Sequence, residues 1–338
     1  MKRIIISFFI VSLCLTPVFA GGTGEETREE ETLEQAQENE IPVEPFDVII
    51  GTLRGPSGIG MSKLMHDDPP FVQNAEVEYQ VIGAPDVMIQ RLISGEIEIA
   101  SLPLNVGAKL YNSGMPVRMG AITGFGVLYM LANNGDISSW EDLEGRTIYN
   151  IARGSTPDLL MQALLEFHGL GDSVTMDFRY SHPELAQTMI ADMVDLAVLP
   201  EPFATMVLSQ NEDVEVVLDL QEEWQDAQGS QETYPMTCIM IHTALIEEQP
   251  AFVEAFLTAY EDSIQWVNAN PAEAAPIVEE AQIGMNAVVA EAAIPRCNLR
   301  FVDAEDAAPI VEPFLQVFLD ISPAAIGGSM PDEGFYYY

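Results

Sequence analysis

One segment of this chain is written twice. Arg54-Gly55-Pro56-Ser57-Gly58 leads into the helix-like Met61-Ser62-Lys63-Leu64-Met65, and roughly a hundred residues later Arg153-Gly154-Ser155-Thr156-Pro157 leads into the apolar run Leu159–Leu165. Each copy is followed by a second shared phrase: Glu98-Ile99-Ala100-Ser101-Leu102-Pro103 after the first, Asp195-Leu196-Ala197-Val198-Leu199-Pro200 after the second. Gly55 to Leu102 is 47 positions and Gly154 to Leu199 is 45. Two elements recurring in the same order at matching separation describe a duplicated unit, so the chain contains two similar halves.

The pattern around the repeat gives the class of each half. Phe46–Ile50, Val77–Val81, Ile97–Leu102 and Val127–Ala132 read as strands, the last followed by turn residues Asn133, Asn134 and Gly135; Asp86–Ile93 and Val106–Tyr111 between them read as helices. Strands alternating with helices predict α/β layers on a largely parallel sheet. After Pro235 the character turns helical. Phe252, Val253, Phe256, Leu257, Tyr260, Ile264 and Val267 form an apolar stripe after Pro250, and Pro271–Ala281, Asn286–Ala293 and Asp303–Leu319 continue the pattern. This helical tail is expected to pack back onto the first half.

Residues 1–20 read as an export leader: Lys2 and Arg3, an apolar run from Ile4 to Leu15, then Val18-Phe19-Ala20 as a small-residue cleavage pattern. Cys14 follows Leu13, where lipid attachment wants a small neighbour, so a lipid anchor is disfavoured. Residues 21–45 are Gly, Thr, Glu and Gln with almost no apolar content and read as a disordered acidic linker. Cys238 and Cys297 remain; a disulfide is open to them in an oxidising compartment, and two buried free thiols are the preferred reading.

With 13 basic and 53 acidic residues the net charge is −40, and it becomes −42 once Lys2 and Arg3 leave with the leader. A field of that sign repels nucleic acid and anionic membrane surfaces. It suits an exported protein and also fits a salty habitat.

In open α/β sheets a ligand lies beyond the carboxyl ends of the strands, against helix N-termini. Both repeated corners are placed there. Gly55 and Gly154 let the backbone approach a solute, and Ser57, Ser155 and Thr156 supply hydroxyls beside unpaired N–H groups of the first helical turn. One such corner is ordinarily only an N-cap; two in matched positions favour binding. The second phrase ends in Leu102-Pro103-Leu104-Asn105 and Leu199-Pro200-Glu201-Pro202-Phe203, which predicts Asn105 and Glu201 at equivalent spots on facing halves. Glu201 stands between a solvated loop acid and a pocket acid for a ligand amine. Phe125, Tyr129 and Phe203 stand between pocket wall and core. His66, His168, His182 and His242 have no metal-ligand spacing, and there is no nucleophile elbow or phosphate-binding lysine loop. No catalytic set, metal or cofactor is read.

Leader, linker, duplicated halves, the Leu-Pro turns, Gly-Ser-Thr-Pro opening a helix and the helical tail together resemble the periplasmic-binding-protein-like type II fold. The chain is similar to the group that binds thiamine-pyrimidine precursors, taurine and alkanesulfonates, and nitrate. The resemblance covers Phe46 to the C-terminus. It implies two three-layer α/β lobes, 46–124 plus 238–338 and 125–237, joined by a two-segment hinge near Gly124–Tyr129 and Pro235–Ile239. The implied site is Gly55, Pro56, Ser57, Leu102, Pro103 and Asn105 facing Gly154, Ser155, Thr156, Pro200 and Glu201; Arg54, Arg153 and Phe125 join the candidate set on their own residue chemistry. The implied role is a monomeric, exported, non-catalytic carrier that brings a small molecule to an ABC permease and its ATPase. A nitrogen-bearing heteroaromatic solute is favoured. A sulfonate or nitrate needs Arg54 or Arg153 to point inward. Two other roles stand beside it, an enzyme of the same fold and a sensory or adhesive surface protein.

Overall fold

The computed structural model describes residues 44–133 and 137–338. The leader, Cys14, the linker up to residue 43 and the turn at Asn134-Gly135 lie outside the described residues. The first sheet is built from β1 (Phe46–Leu53), β2 (Ala75–Ile82), β3 (Ile99–Pro103) and β4 (Val117–Phe125), with α1 (Pro56–Asp67), α2 (Pro85–Ser94) and α3 (Leu104–Asn112) in the crossovers. The chain then passes through Gly126-Val127 into the second sheet. This contains β5 (Leu128–Asn133), β6 (Thr147–Tyr149), β7 (Thr175–Asp177), β8 (Leu196–Pro200) and β9 (Val214–Asp219), with α4 (Thr156–Phe167), α5 (His182–Ile190), α6 (Phe203–Gln210) and α7 (Leu220–Gln228). It returns to the first sheet as β10 (Pro235–His242). The remainder is α8 (Thr243–Glu248), α9 (Pro250–Ala269), α10 (Pro271–Glu280), α11 (Ala287–Ala293), the short β11 (Val302–Asp303) and α12 (Ala304–Ile321).

The duplication is visible in the strand order. The first sheet runs β2-β1-β3-β10-β4-β11 and the second β7-β6-β8-β5-β9. In each, the strand before the glycine corner lies between its successor and the strand ending in Leu-Pro. In each, the next strand is the one that arrives from the other half. Those exchanged strands make the sheets mixed rather than largely parallel: β10 is antiparallel to β3 and β4, and β5 to β8 and β9. The period-two and helical patterns give no signal for this, because direction is set by where the chain crosses between halves.

Helices cover both faces of each sheet, so the inner strands β3, β5, β8 and β10 are largely apolar, whereas edge strand β2 alternates with Glu76, Glu78 and Gln80. Successive side chains of β10 go to opposite layers: Ile239 and Ile241 join α1, α9, α10 and α11, whereas Cys238 and Met240 join α3 and α12. In the second sheet Tyr129, Leu131, Ala197 and Leu199 pack toward α5 and α6, and Leu128, Met130, Leu196 and Val198 toward α4 and α7. The tail helices do return to the first sheet. Phe252, Phe256, Tyr260 and Ile264 of α9 are buried against β1 and α1. α12 also reaches the second half, where Phe314 packs edge-on against Trp224 of α7 at 5.5 Å. Cys238 and Cys297 are buried and unpaired.

Candidate functional site

The two corners are built alike but differ in exposure. After β1, Gly55 adopts φ 93° and ψ −149°, a conformation a side-chain-bearing residue rarely takes. No heavy atom lies within 4 Å of where its Cβ would stand, so backbone conformation alone demands the glycine. Pro56 then opens α1, and Ser57 is buried with its carbonyl accepting the Tyr260 hydroxyl at 3.1 Å. After β6, Gly154 has φ 78° and donates its N–H to Asp158 Oδ2 at 2.7 Å. Ser155 caps α4 with its hydroxyl turned back to the Ala152 carbonyl at 2.8 Å. Arg153 and Gly154 are exposed, Ser155 is half-buried and Thr156 is buried.

The Leu-Pro turns supply some of the contacts between the halves. Leu102 is buried and Pro103 half-buried at the end of β3, where Ser101 Oγ accepts the Leu53 N–H at 3.0 Å and so ties this turn to the first corner. Asn105, 2% exposed, lies in the first turn of α3 and accepts the Thr156 hydroxyl at 3.3 Å. No hydrogen bond or ion pair among the described residues joins the 54–57 corner directly to the 153–156 corner; Asn105 bonds to the second corner and donates its amide to the Ala325 carbonyl at 3.4 Å.

At the end of β8, half-buried Pro200 leads to Glu201, which is 1% exposed. Its Oε2 accepts the Thr205 N–H at 3.1 Å and its Oε1 accepts Arg296 Nε at 2.5 Å. The Arg296 guanidinium lies over the Tyr129 ring, 4.3 Å from its centroid. Burial works against that charge, but Glu201 more than offsets it and holds the guanidinium above its ordinary value. Burial, with Asp219 nearby, pushes the Tyr129 hydroxyl up and keeps it protonated. Both Glu201 oxygens are therefore engaged within the protein, and a solute amine would compete with Arg296 for this carboxylate.

Of the other candidates, Phe125 is buried with the Arg300 guanidinium 3.8 Å above its ring, and Phe203 is half-buried beside His182 at 5.8 Å. Arg54 is exposed near Gly83 and Gly284, and Arg153 lies over Phe178 at 4.2 Å. Neither has an ion-pair partner among the described residues. Two open surface grooves, of about 580 Å³ along β2 and α2 and about 510 Å³ beside α12, are not lined by either corner. Among the described residues no group of three or more His, Cys, Asp or Glu is placed to hold a metal.

Arg296 escapes the sequence reading because its partner is 95 positions away. One signal was present: from residue 238 onward the only Lys or Arg side chains are Arg296 and Arg300. In so acidic a tail, cations four residues apart mark a place where negative charge must be met.

The NMT1/THI5-like family model matches residues 73–274. The chain is similar to the crystal structure of an ABC transporter from Parabacteroides distasonis: 26% identity over 86% of this chain and 98% of that one, TM-score 0.76. It shares its fold with the periplasmic aliphatic sulphonate binding protein SsuA from Escherichia coli, at 16% identity over 86% and 96% of the two chains, TM-score 0.69. The same holds for the periplasmic nitrate-binding protein NrtA from Synechocystis PCC 6803, at 11% identity over 82% of each chain, TM-score 0.62. No curated protein matches the chain.

Proposed function

The chain belongs to the NMT1/THI5-like family, and from that premise we propose that it is the exported solute-binding subunit of an ABC importer. The observation that carries this reading is the meeting of Asn105 and Thr156: the first turns of two helices, one from each repeat, come together across the space between the sheets. Residues 46–124 plus 238–338 form one lobe and 125–237 the other, hinged at 124–129 and 235–239. A solute held between Ser57, Leu102, Pro103 and Asn105 on one side and Ser155, Thr156 and Pro200 on the other stabilises the closed arrangement, and the equilibrium shifts toward it. The permease and its ATPase then act on the closed form. The protein works as an exported monomer, takes one solute per chain and catalyses nothing.

The solute favoured is a small nitrogen-bearing heteroaromatic molecule of the vitamin-precursor kind. Glu201 is a carboxylate for which a ligand N–H would compete with Arg296, and the acidic field favours a neutral or cationic guest over an anion. A small anion such as a sulfonate or nitrate is the second reading, supported by Arg54 and Arg153, which stand at equivalent places in the two corners without carboxylate partners among the described residues.

Native mass spectrometry of the freshly purified protein tests the proposal. A co-purifying molecule of a few hundred daltons, at no more than one per chain, is the expected result. Consumption of that molecule on incubation would instead point to an enzyme.

A further inference from the structure

The residues from Arg296 to Arg300 are anchored in one half of the molecule and grip the other. Ile294, Cys297 and Leu299 are buried in the layer that α9, α10 and α11 form on the first sheet. The residues between them face the crossing. Arg296 reaches Glu201 and the Tyr129 ring of the second sheet, and its carbonyl accepts the Tyr129 hydroxyl at 3.4 Å. Asn298, held at φ 43°, donates its side-chain amide to the Gly126 carbonyl at 2.5 Å, while its own carbonyl accepts the Phe125 N–H at 3.1 Å. Arg300 covers the Phe125 ring and pairs with Glu232, on the return crossing, at 2.7 Å. Alternate residues of one short segment thus hold both strands of the crossing and one buried acid beyond it.

Charge explains why such a grip is needed. Residues 125–237 carry 20 acidic and 3 basic side chains, and residues 46–124 plus 238–338 carry 24 and 7, so each lobe bears −17. Two bodies of like charge repel across the space between them, with a reach of about 10 Å at 0.1 M salt. The Glu201 side chain is fully buried and its partner Arg296 about one-third exposed, so this pair is shielded from the salt that governs the surface charges.

We infer that Arg296–Arg300 is a latch that holds the two lobes closed against their mutual repulsion, with Arg296 as its positioning residue through Glu201 and Tyr129. This rests on the two-lobe clamp proposed above. Removing the latch should leave closure dependent on ionic strength, a behaviour that a merely structural role does not produce.

The test is a distance distribution between spin labels on Gln90→Cys of α2 and Gln187→Cys of α5, both exposed, in the full mature chain. Burial of Cys238 and Cys297 keeps labelling specific. Arg296→Gln removes the ion pair, and Asn298→Gly removes the side-chain hydrogen bond to the Gly126 carbonyl while keeping a residue that accepts the positive φ, so the second variant carries the test should the first fold poorly. Both are compared with the parent at about 0.01 M and about 1 M salt, where screening lengths are about 30 Å and about 3 Å. The expected result is a parent distribution that is the same at both concentrations, and in each variant an added longer-distance population that grows at low salt and recedes at high salt. Distributions that superpose on the parent at both concentrations overturn the latch. Solute binding that survives such a result leaves the carrier reading standing, whereas a failure to find any solute removes that reading without touching the distance measurement.

Discussion

The Thr156 hydroxyl donates a hydrogen bond to the side-chain oxygen of Asn105 at 3.3 Å, and with it the first turn of α4 is tied to the first turn of α3. Both side chains are buried, at 1% and 2% exposure, so neither exchanges this bond freely for water. Thr156→Val keeps the shape and removes the donor. Unfolding free energy should fall by about 1 kcal/mol, the net worth of one such bond. Affinity for the solute should fall about tenfold, equivalent to about 1.4 kcal/mol. Urea denaturation and titration calorimetry read the two quantities, and unchanged affinity would remove Thr156 from the site.

The Glu201–Arg296 pair should behave as a unit. Glu201→Gln leaves the guanidinium without its counter-charge, at a cost of about 2 kcal/mol once the value for a fully buried pair is reduced for the one-third exposure of Arg296. The denaturation midpoint moves and its slope does not. Adding Arg296→Met to Glu201→Gln should cost little more than either change alone, because the pair is already broken. Strict additivity of the two losses would contradict the contact.

Burial lowers the pKa of His182, at the start of α5, below the ordinary 6.5. The folded chain therefore resists protonation that the unfolded chain accepts, and stability attributable to this residue is present above about pH 6.5 and declines as pH falls toward the lower folded value. In pH-dependent denaturation, His182→Gln should lose less stability than the parent between about pH 7 and pH 5. Parallel curves would place the imidazole in water.

Cys238 and Cys297 are fully buried, and burial pushes both thiols up, away from the reactive thiolate form. A thiol reagent added to the mature native protein should label neither. In denaturant it should label both, without prior reduction. Labelling that requires a reductant would mean a disulfide.

The glycine corners, the Leu-Pro turns and the tail helices were legible because each is a local matter. Gly55 and Gly154 mark backbone turns that few other residues make, and the stripe from Phe252 to Val267 has the period of one buried helix face. Helix α12 was legible despite Pro309 and Pro313 because its apolar positions, Val311, Phe314, Leu315 and Phe318, keep the helical spacing around them. What stayed hidden depends on where distant parts meet. The directions of β5 and β10 follow from the chain exchanging strands between sheets, which no window of sequence records. Glu201 was singled out as one acid among 53, but its partner could not be named: the bond to Arg296 spans 95 residues and follows no motif. Arg54 and Arg153 look equivalent in the repeat and are both exposed, yet Arg153 covers the Phe178 ring while Arg54 lies against Gly83 and Gly284.

Binding of one small molecule between the repeated corners is read out by thermal unfolding of the purified protein against a panel of vitamins, their precursors, sulfonates and nitrate. At a hundredfold excess over its dissociation constant a true ligand stabilises the fold by about 2.7 kcal/mol, a shift of several degrees. Such a shift is expected for one chemical class in the parent and a much smaller one in Thr156→Val at the same concentration. An equal shift in parent and variant would place the solute away from the repeated corners.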